Sequence, residues 1–594
     1  MWRRIFQRKS LEILLAEMAG EHRLRRVLGP VSLTALGVGA IIGAGIFAIT
    51  GRVAAEDAGP GIMLSFVVSG FACAFAALCY AEFAAMAPVA GSAYTYTYAT
   101  LGEVWAWIIG WDLILEYAMS CSVVASHWAS YFDQFWNLTC EMLHIRGLAI
   151  LPEFLSDPFT HEVRHQFVAQ PYCNLLAIVI MALTTVILVI GIRESATVNA
   201  ALVFVKVVVV LFVIALGIRY VNPDNWTKIP VESRHASDAL DYVDRHPDIK
   251  RQIPPGDLSV STTGAQLLDA HPAIATGFSD IQKEEIRKLP NELKKWGLLG
   301  AFGIKDWLKP IDDYCRSPFL PYGFSGLMCG AALVFFAYIG FDSISTHSEE
   351  AILLKRDVPI GILASLALCT VLYILMAGVI TGMEPYPQID TGAAVAAAFS
   401  KRAAIEQSPF LRASAWLISV GALAGMTSVL LVIFLSQARV FLAMARDGLL
   451  PHSIFGVVHE RFRTPHRSTI VTGVLVALAA GFFPVKRLEE MVNIGTLLAF
   501  VLVCASVLVL RVTRPEAERP FRCPALFVVA PLGIFVNLAM MLFLPMDTWI
   551  RLAVWLGLGL VIYFAYGLHH STLGRNLQQE MMLNGATGSD APLK

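Results

Sequence analysis

Along this chain, apolar residues gather in blocks of roughly twenty, the length that crosses a hydrocarbon core of ~30 Å as one helix. Short polar, often basic, clusters separate them. Twelve such spans are predicted, at 30–50, 61–84, 103–131, 172–191, 198–219, 324–345, 359–381, 413–438, 468–484, 491–510, 525–543 and 551–568. They form a membrane domain over 28–568, with tails at 1–27 and 569–594. An even count puts both tails on one side.

Composition agrees with lipid as the solvent. Of the 594 residues, 56% are hydrophobic and 15% charged, against roughly 25% charged in a soluble domain. A net charge of -1 argues against a broad nucleic-acid surface. The ten cysteines are scattered without a CxxC pair, so neither a metal site, a cofactor nor a disulfide scaffold is expected. The N-terminus does not resemble a secretory signal, because a basic, polar stretch leads into a full-length span. The first span then serves as the targeting element, and the plasma membrane is the expected location.

The basic clusters orient the spans. Arg3, Arg4, Arg8, Lys9, Arg23, Arg25 and Arg26 precede span one. Alternate loops on that side carry Arg193, Lys355, Arg356, Arg446, Arg461, Arg463, Arg467, Arg511, Arg514, Arg519 and Arg522. The opposite short loops are poorer, so both termini are expected in the cytoplasm. One long polar insert, 221–322, lies between spans five and six, and parity places it outside. Long loops escape the positive-inside rule, so its lysines do not conflict with that side. Within it, Ile281, Ile286, Leu289, Leu293 and Trp296 recur at near-helical spacing around Pro290. That stretch reads either as an amphipathic helix on the membrane or outer face, or as an irregular linker.

A site at the membrane midplane needs free backbone groups, and an interrupted helix supplies them. Span one holds GAIIGAGIF, Gly39 to Phe47; span six holds FFAYIGFD, Phe335 to Asp342. Each opens a set of five spans, and glycine-interrupted segments at corresponding positions of two halves point to an inverted-repeat transporter site. Gly39 and Gly43 also fit a GxxxG packing face. Free N–H groups at Gly43, Ala44 and Gly45, at the positive end of the restarted helix, suit a carboxylate. Carbonyls ending the two first halves suit an ammonium. A molecule bearing both groups on one carbon is an α-amino acid.

The ordered motifs PVAGSAYTYTYATLGE (88–103), GWDLILEY (110–117), GIRESATVN (191–199), KRDVPIGI (355–362), QARVFLAMARDGLLP (437–451), LEEMVNIGTLLAFVLV (488–503), RPFRCP (519–524) and YFAYGLHHS (563–571) join these two segments and the EEA ending at Ala351. With them the chain resembles the amino acid–polyamine–organocation superfamily, and within it the bacterial form of the cationic amino acid transporter family. The resemblance implies an all-α integral membrane fold: a five-plus-five inverted repeat with helices one and six broken, and two extra C-terminal helices. It also implies that the amides of Ala44 and Gly45 hold the substrate carboxylate and the carbonyls of Ile41, Phe336 and Ile339 its amine. Phe336 would close over the substrate from outside, with Gly43, Ala337 and Gly340 completing the set.

Two intramembrane charges stand apart. Lys206 sits near the middle of span five in VFVKVVVVL; a bare charge in lipid is costly, so it must face the bundle interior. In proton-coupled relatives a span-five lysine replaces the sodium ion that related carriers bind between spans one, five and eight, and Lys206 matches it. Thr427 and Ser428 on span eight are candidates for the same place. Glu116 lies one turn after Asp112 on a shared face. Two close carboxylates in low dielectric seldom both ionise, so Glu116 reads as a proton relay, a partner for a cationic substrate, or a hydrogen-bonded structural acid.

Competing functions leave weaker traces. His161–His165 spells HExxH, but in a loop flanked by Pro152, Pro158 and Pro171, where a stable zinc-binding helix is not expected. No GxxxxGK[ST] loop marks a nucleotide-driven pump, and no filter sequence marks a channel. An exchanger or a non-transporting amino-acid sensor would share the same site. The expected partners are an amino acid, protons and membrane lipid.

Overall fold

The computed structural model describes residues 8–9, 28–86, 92–145, 173–190, 196–229, 296–346, 351–462 and 464–575, and 236–289 with short gaps. Among them the regular secondary structure is helix, apart from one isolated bridge between Leu28 and Ala351. In order, the main helices are α1 (Pro30–Ile41), α2 (Ile62–Met86), α3 (Ser92–Thr100), α4 (Glu103–Met142), α5 (Leu175–Ile190) and α6 (Ala196–Gly217). The insert contributes α7 (Ala239–Arg245), α8 (Gly264–Ala270) and α9 (Lys305–Cys315). Then follow α10 (Gly323–Val334), α11 (Leu354–Met383), α12 (Ala394–Glu406) and α13 (Pro409–Arg446). The last four are α14 (His466–Phe482), α15 (Val485–Thr513), α16 (Leu526–Leu542) and α17 (Met546–Ile562).

Among the described residues, seven helices are long and apolar enough to cross a membrane, and five more are apolar but shorter. In lipid only an unbroken internal ladder satisfies the backbone, which is why these apolar runs become helices. The expected spans coincide with helices, but four helices depart from the hydropathy pattern. α4 runs on to Met142 and α13 to Arg446, beyond their apolar blocks. The two pack along one another, and the extension is held by polar aromatic contacts: Trp416 Nε1 donates to Thr139 Oγ1 at 2.9 Å. Helices α3 and α12 lie outside any predicted span. α12 buries Ala394 to Phe399 against the restarted half of the first broken helix, a packing role that its low hydrophobicity concealed.

The two interrupted helices occupy the centre, flanked by α2, α4, α11 and α13. The insert is partly a unit of its own: Val243, Ile249, Leu267, Leu268 and Ile286 share a small apolar core. Thr263 and Gln266 form a capping box that starts α8. Its start is tied down where Trp226 Nε1 donates to Thr381 Oγ1 at 3.1 Å and Asn225 Nδ2 to the Gly382 carbonyl at 2.7 Å. Much of the segment 280–296 predicted as helix or linker lies outside the described residues, as does the HExxH motif at 161–165.

Candidate substrate site

α1 stops at Ile41 because Ile42 turns extended (φ -72°, ψ 105°), and the chain resumes helical geometry at Ala44 (φ -56°, ψ -29°). The first amides after the break have no carbonyl four residues back in a helix to receive them, so they are available to a ligand. α10 tightens through Phe335–Tyr338 and opens at Ile339 (ψ 132°). Gly340 follows at φ +118°, where a Cβ would also stand 2.7 Å from the Ala40 carbonyl oxygen. Only glycine meets both demands. A Cβ on Gly45 would strike the Cα of Ala337. The two breaks therefore cross in backbone contact, which is what the glycines permit.

Ile41, Ala44, Phe336, Ala337 and Ile339 are all buried at this crossing. The structure adds Tyr373 of α11, whose hydroxyl lies 2.7 Å from the Ala337 carbonyl and 3.0 Å from that of Ile41. One hydroxyl proton serves one carbonyl at a time. The Phe336 carbonyl accepts from the Ile339 amide at 3.1 Å and retains a second lone pair. Tyr373 left no local trace in the sequence, because a tyrosine in an apolar run has no spacing that betrays its partner.

Lys206 is 1% exposed, and its Nζ donates to the Gly39 carbonyl at 2.8 Å, one turn before the break. It lies beside Cys369 of α11 and against Gly425 of α13, where a Cβ would meet its Cγ at 3.5 Å. The Lys206 ammonium thus links α6 to α1, while its aliphatic stem rests on α13. Gly43 meets α13 at Val429. Thr427 is drawn elsewhere: it accepts from Trp128 Nε1 at 3.0 Å and donates to the Leu423 carbonyl at 2.8 Å. Ser428 is buried. Among the described residues neither hydroxyl bonds to Lys206.

Glu116 and Asp112 are buried on α4, and Glu116 lies within electrostatic reach of Asp112 and of Asp342, just past the second break. Thr496 of α15 lies near Glu116, but its hydroxyl donates to the Val492 carbonyl at 3.0 Å. Tyr117 donates to Asp342 Oδ2 at 3.0 Å, and the Gly340 amide to Oδ1 at 3.2 Å. Glu116 Oε2 and both oxygens of Asp112 lack a hydrogen-bond donor among the described residues. Three carboxylates thus converge without a basic side chain bonded to Glu116 or Asp112. The sequence showed two of them as a pair; the break in α10 brings the third.

Ion pairs fasten both ends of the bundle. Arg52, after the first break, pairs with Glu489 of α15, which also meets His127 Nε2 at 2.8 Å. Lys486 joins Glu56 at 2.7 Å beside them. At the opposite end Lys9 meets Asp447 at 3.0 Å, and Tyr94 donates to the same carboxylate at 2.7 Å. No group of three or more His, Cys, Asp or Glu is placed to hold a metal among the described residues.

Broken helices crossing at the centre of an apolar bundle, latched at both ends, define a membrane transporter. The chain belongs to the amino acid permease family, whose model matches residues 28–263 and 296–564, within the amino acid–polyamine–organocation superfamily. It is 37% identical to the branched-chain amino acid permease BcaP of Bacillus subtilis, over 96% of this chain and 99% of that protein. It is 36% identical to the methylthioribose transporter of the same organism, over the same shares. A vacuolar cationic amino acid transporter 4 of Arabidopsis thaliana is 32% identical over 86% of this chain and 68% of its own length. The family model omits 264–295, inside the insert.

Proposed function

We propose that the chain is a secondary active transporter that moves an α-amino acid across the plasma membrane by alternating access, as a proton symporter with both termini in the cytoplasm. The observation that carries this reading is the bond from Lys206 to the Gly39 carbonyl beside the first break. The substrate carboxylate takes the free amides of Gly43, Ala44 and Gly45. Its ammonium takes the carbonyls that end the first halves, including the Ile41 carbonyl facing Tyr373. Protonated Lys206 ties α6 to α1; losing the proton weakens that tie and lets the helices part. The latches at Arg52 and Lys9 then break in alternation, so that one end is open while the other holds.

The carboxylates Glu116, Asp112 and Asp342 favour a substrate with a cationic side chain, whereas the relatives are named for branched-chain amino acids, methylthioribose and cationic amino acids. Uptake into proteoliposomes distinguishes these. Labelled leucine, lysine, arginine and methylthioribose are supplied with an inward proton gradient, an inward sodium gradient, or none. Accumulation of an amino acid that follows the proton gradient is expected. Accumulation that follows sodium alone overturns the coupling, and movement only against a preloaded amino acid makes the protein an exchanger. Binding without flux makes it a sensor. Lys206→Ala is expected to lose gradient-driven accumulation while keeping slow exchange. If that variant accumulates normally and Glu116→Gln does not, Lys206 is a fixed strut and Glu116 carries the proton.

A further inference from the structure

The segment just before α10 carries an arrangement that neither transport nor the insert's own core uses. In α9 the residues Ile304 (at its N-cap), Trp307, Ile311 and Tyr314 follow at spacings of three and four and share one flank. That flank is bare: Trp307 is 73% and Tyr314 91% exposed. Asp306, Lys309 and Asp313 occupy the opposite flank and are exposed as well. Between the two flanks runs a third strip that faces the protein. There Asp312 is 1% exposed, with Oδ1 accepting from the Ser325 amide of α10 at 2.6 Å.

A helix at the edge of a soluble domain turns its apolar side inward. α9 does so only at Leu308: its contact strip is otherwise polar, at Lys305 and Asp312, and its aromatic flank is turned away from the protein. Such a helix has three environments, and protein and water account for two of them. Its position is fixed by the Asp312 bond to the first turn of α10, one of the shorter apolar helices of the bundle. The chain just before it packs at the turn between α16 and α17, where Trp296 meets Phe543 with ring centroids 6.5 Å apart. α17 begins there with Ile550 and Val554 exposed, so the chain leading into α9 starts beside an exposed apolar surface of the bundle. Tryptophan and tyrosine are the residues that prefer the headgroup level.

We infer that α9 lies in the plane of the membrane surface, with Trp307, Ile311 and Tyr314 among the lipid headgroups and upper acyl chains, anchoring the insert beside the second broken helix. Such helices bury their apolar face about 5–10 Å below the headgroup boundary. The partner is the bilayer itself. The inference depends on the fold and is independent of substrate and coupling ion.

Adjacent residues give the sharpest test, because Asp306 and Trp307 should meet opposite solvents. Asp306→Cys and Trp307→Cys full-length proteins are labelled with an environment-sensitive fluorophore and reconstituted in phosphatidylcholine vesicles, with the signal of identically treated unsubstituted protein subtracted. At 307 the emission should shift to the blue and be quenched by nitroxide-bearing lipid, with little loss to aqueous iodide. At 306 the pattern should reverse. Tyr314→Cys should repeat the behaviour of 307, which keeps the test intact if one variant folds poorly. Quenching of 307 and 314 by iodide alone overturns the inference. Protection of both from lipid and iodide also overturns it, and assigns the flank to a second protein surface.

Discussion

At the residue scale, the glycines of the first break fall into two kinds that the sequence does not separate. A Cβ at Gly45 meets the backbone Cα of Ala337, so nothing but a shift of a whole helix makes room. Gly45→Ala should therefore abolish uptake, and adding Ala337→Gly should not restore it. At Gly39 the obstacle is the Cγ2 of Val203, while the Val203 Cβ stands at 3.5 Å, an ordinary contact. Gly39→Ala should lose most uptake and recover it with Val203→Ala. Full rescue at Gly45, or none at Gly39, in a vesicle uptake assay would contradict this packing. Tyr373→Phe removes the hydroxyl shared by Ile41 and Ala337. A loss of roughly 1 kcal/mol in stability is expected, seen as a lowered melting temperature in detergent, together with a raised KM for uptake.

At the scale of elements, the two latches differ in what surrounds them. Arg52 and Glu489 are nearly inaccessible, with side-chain exposures of 3% and 1%. Lys9 and Asp447 keep 11% and 17%. Removing one member of a buried pair leaves an uncompensated charge and costs on the order of 3–5 kcal/mol, and less where water reaches the group left behind. Arg52→Ala should thus lower thermal stability more than Lys9→Ala. Equal losses in the two variants would mean that the Arg52 pair is open to water. Helix α12 belongs to the same scale. Its alanine-rich face reads as an unremarkable external loop, yet Ala394 lies so close to Gly51 that the restarted first helix must move with it or away from it.

At the scale of the molecule, the insert should face outward and the tails inward. Ser259 is exposed in the insert, so a Ser259→Cys protein should react with a membrane-impermeant thiol reagent on intact cells; reaction only after permeabilisation would invert the orientation. The sequence by itself determined that this chain is a helical membrane protein, where its apolar helices run and which two of them break. Those properties depend on local features: the length of an apolar block against the thickness of lipid, and glycine at a point where the backbone must turn. It also marked Lys206 and Glu116, because charge inside an apolar block is costly wherever the block ends up. Only the tertiary structure decided that Lys206 reaches the Gly39 carbonyl, that Tyr373 spans both breaks, that Asp342 joins Glu116 and Asp112, and that Thr427 turns to Trp128. Each of these brings together residues far apart in the chain, the carboxylates by proximity and the others through a bond of about 3 Å, and such a meeting leaves no periodicity in either segment. It exists only once the helices have packed.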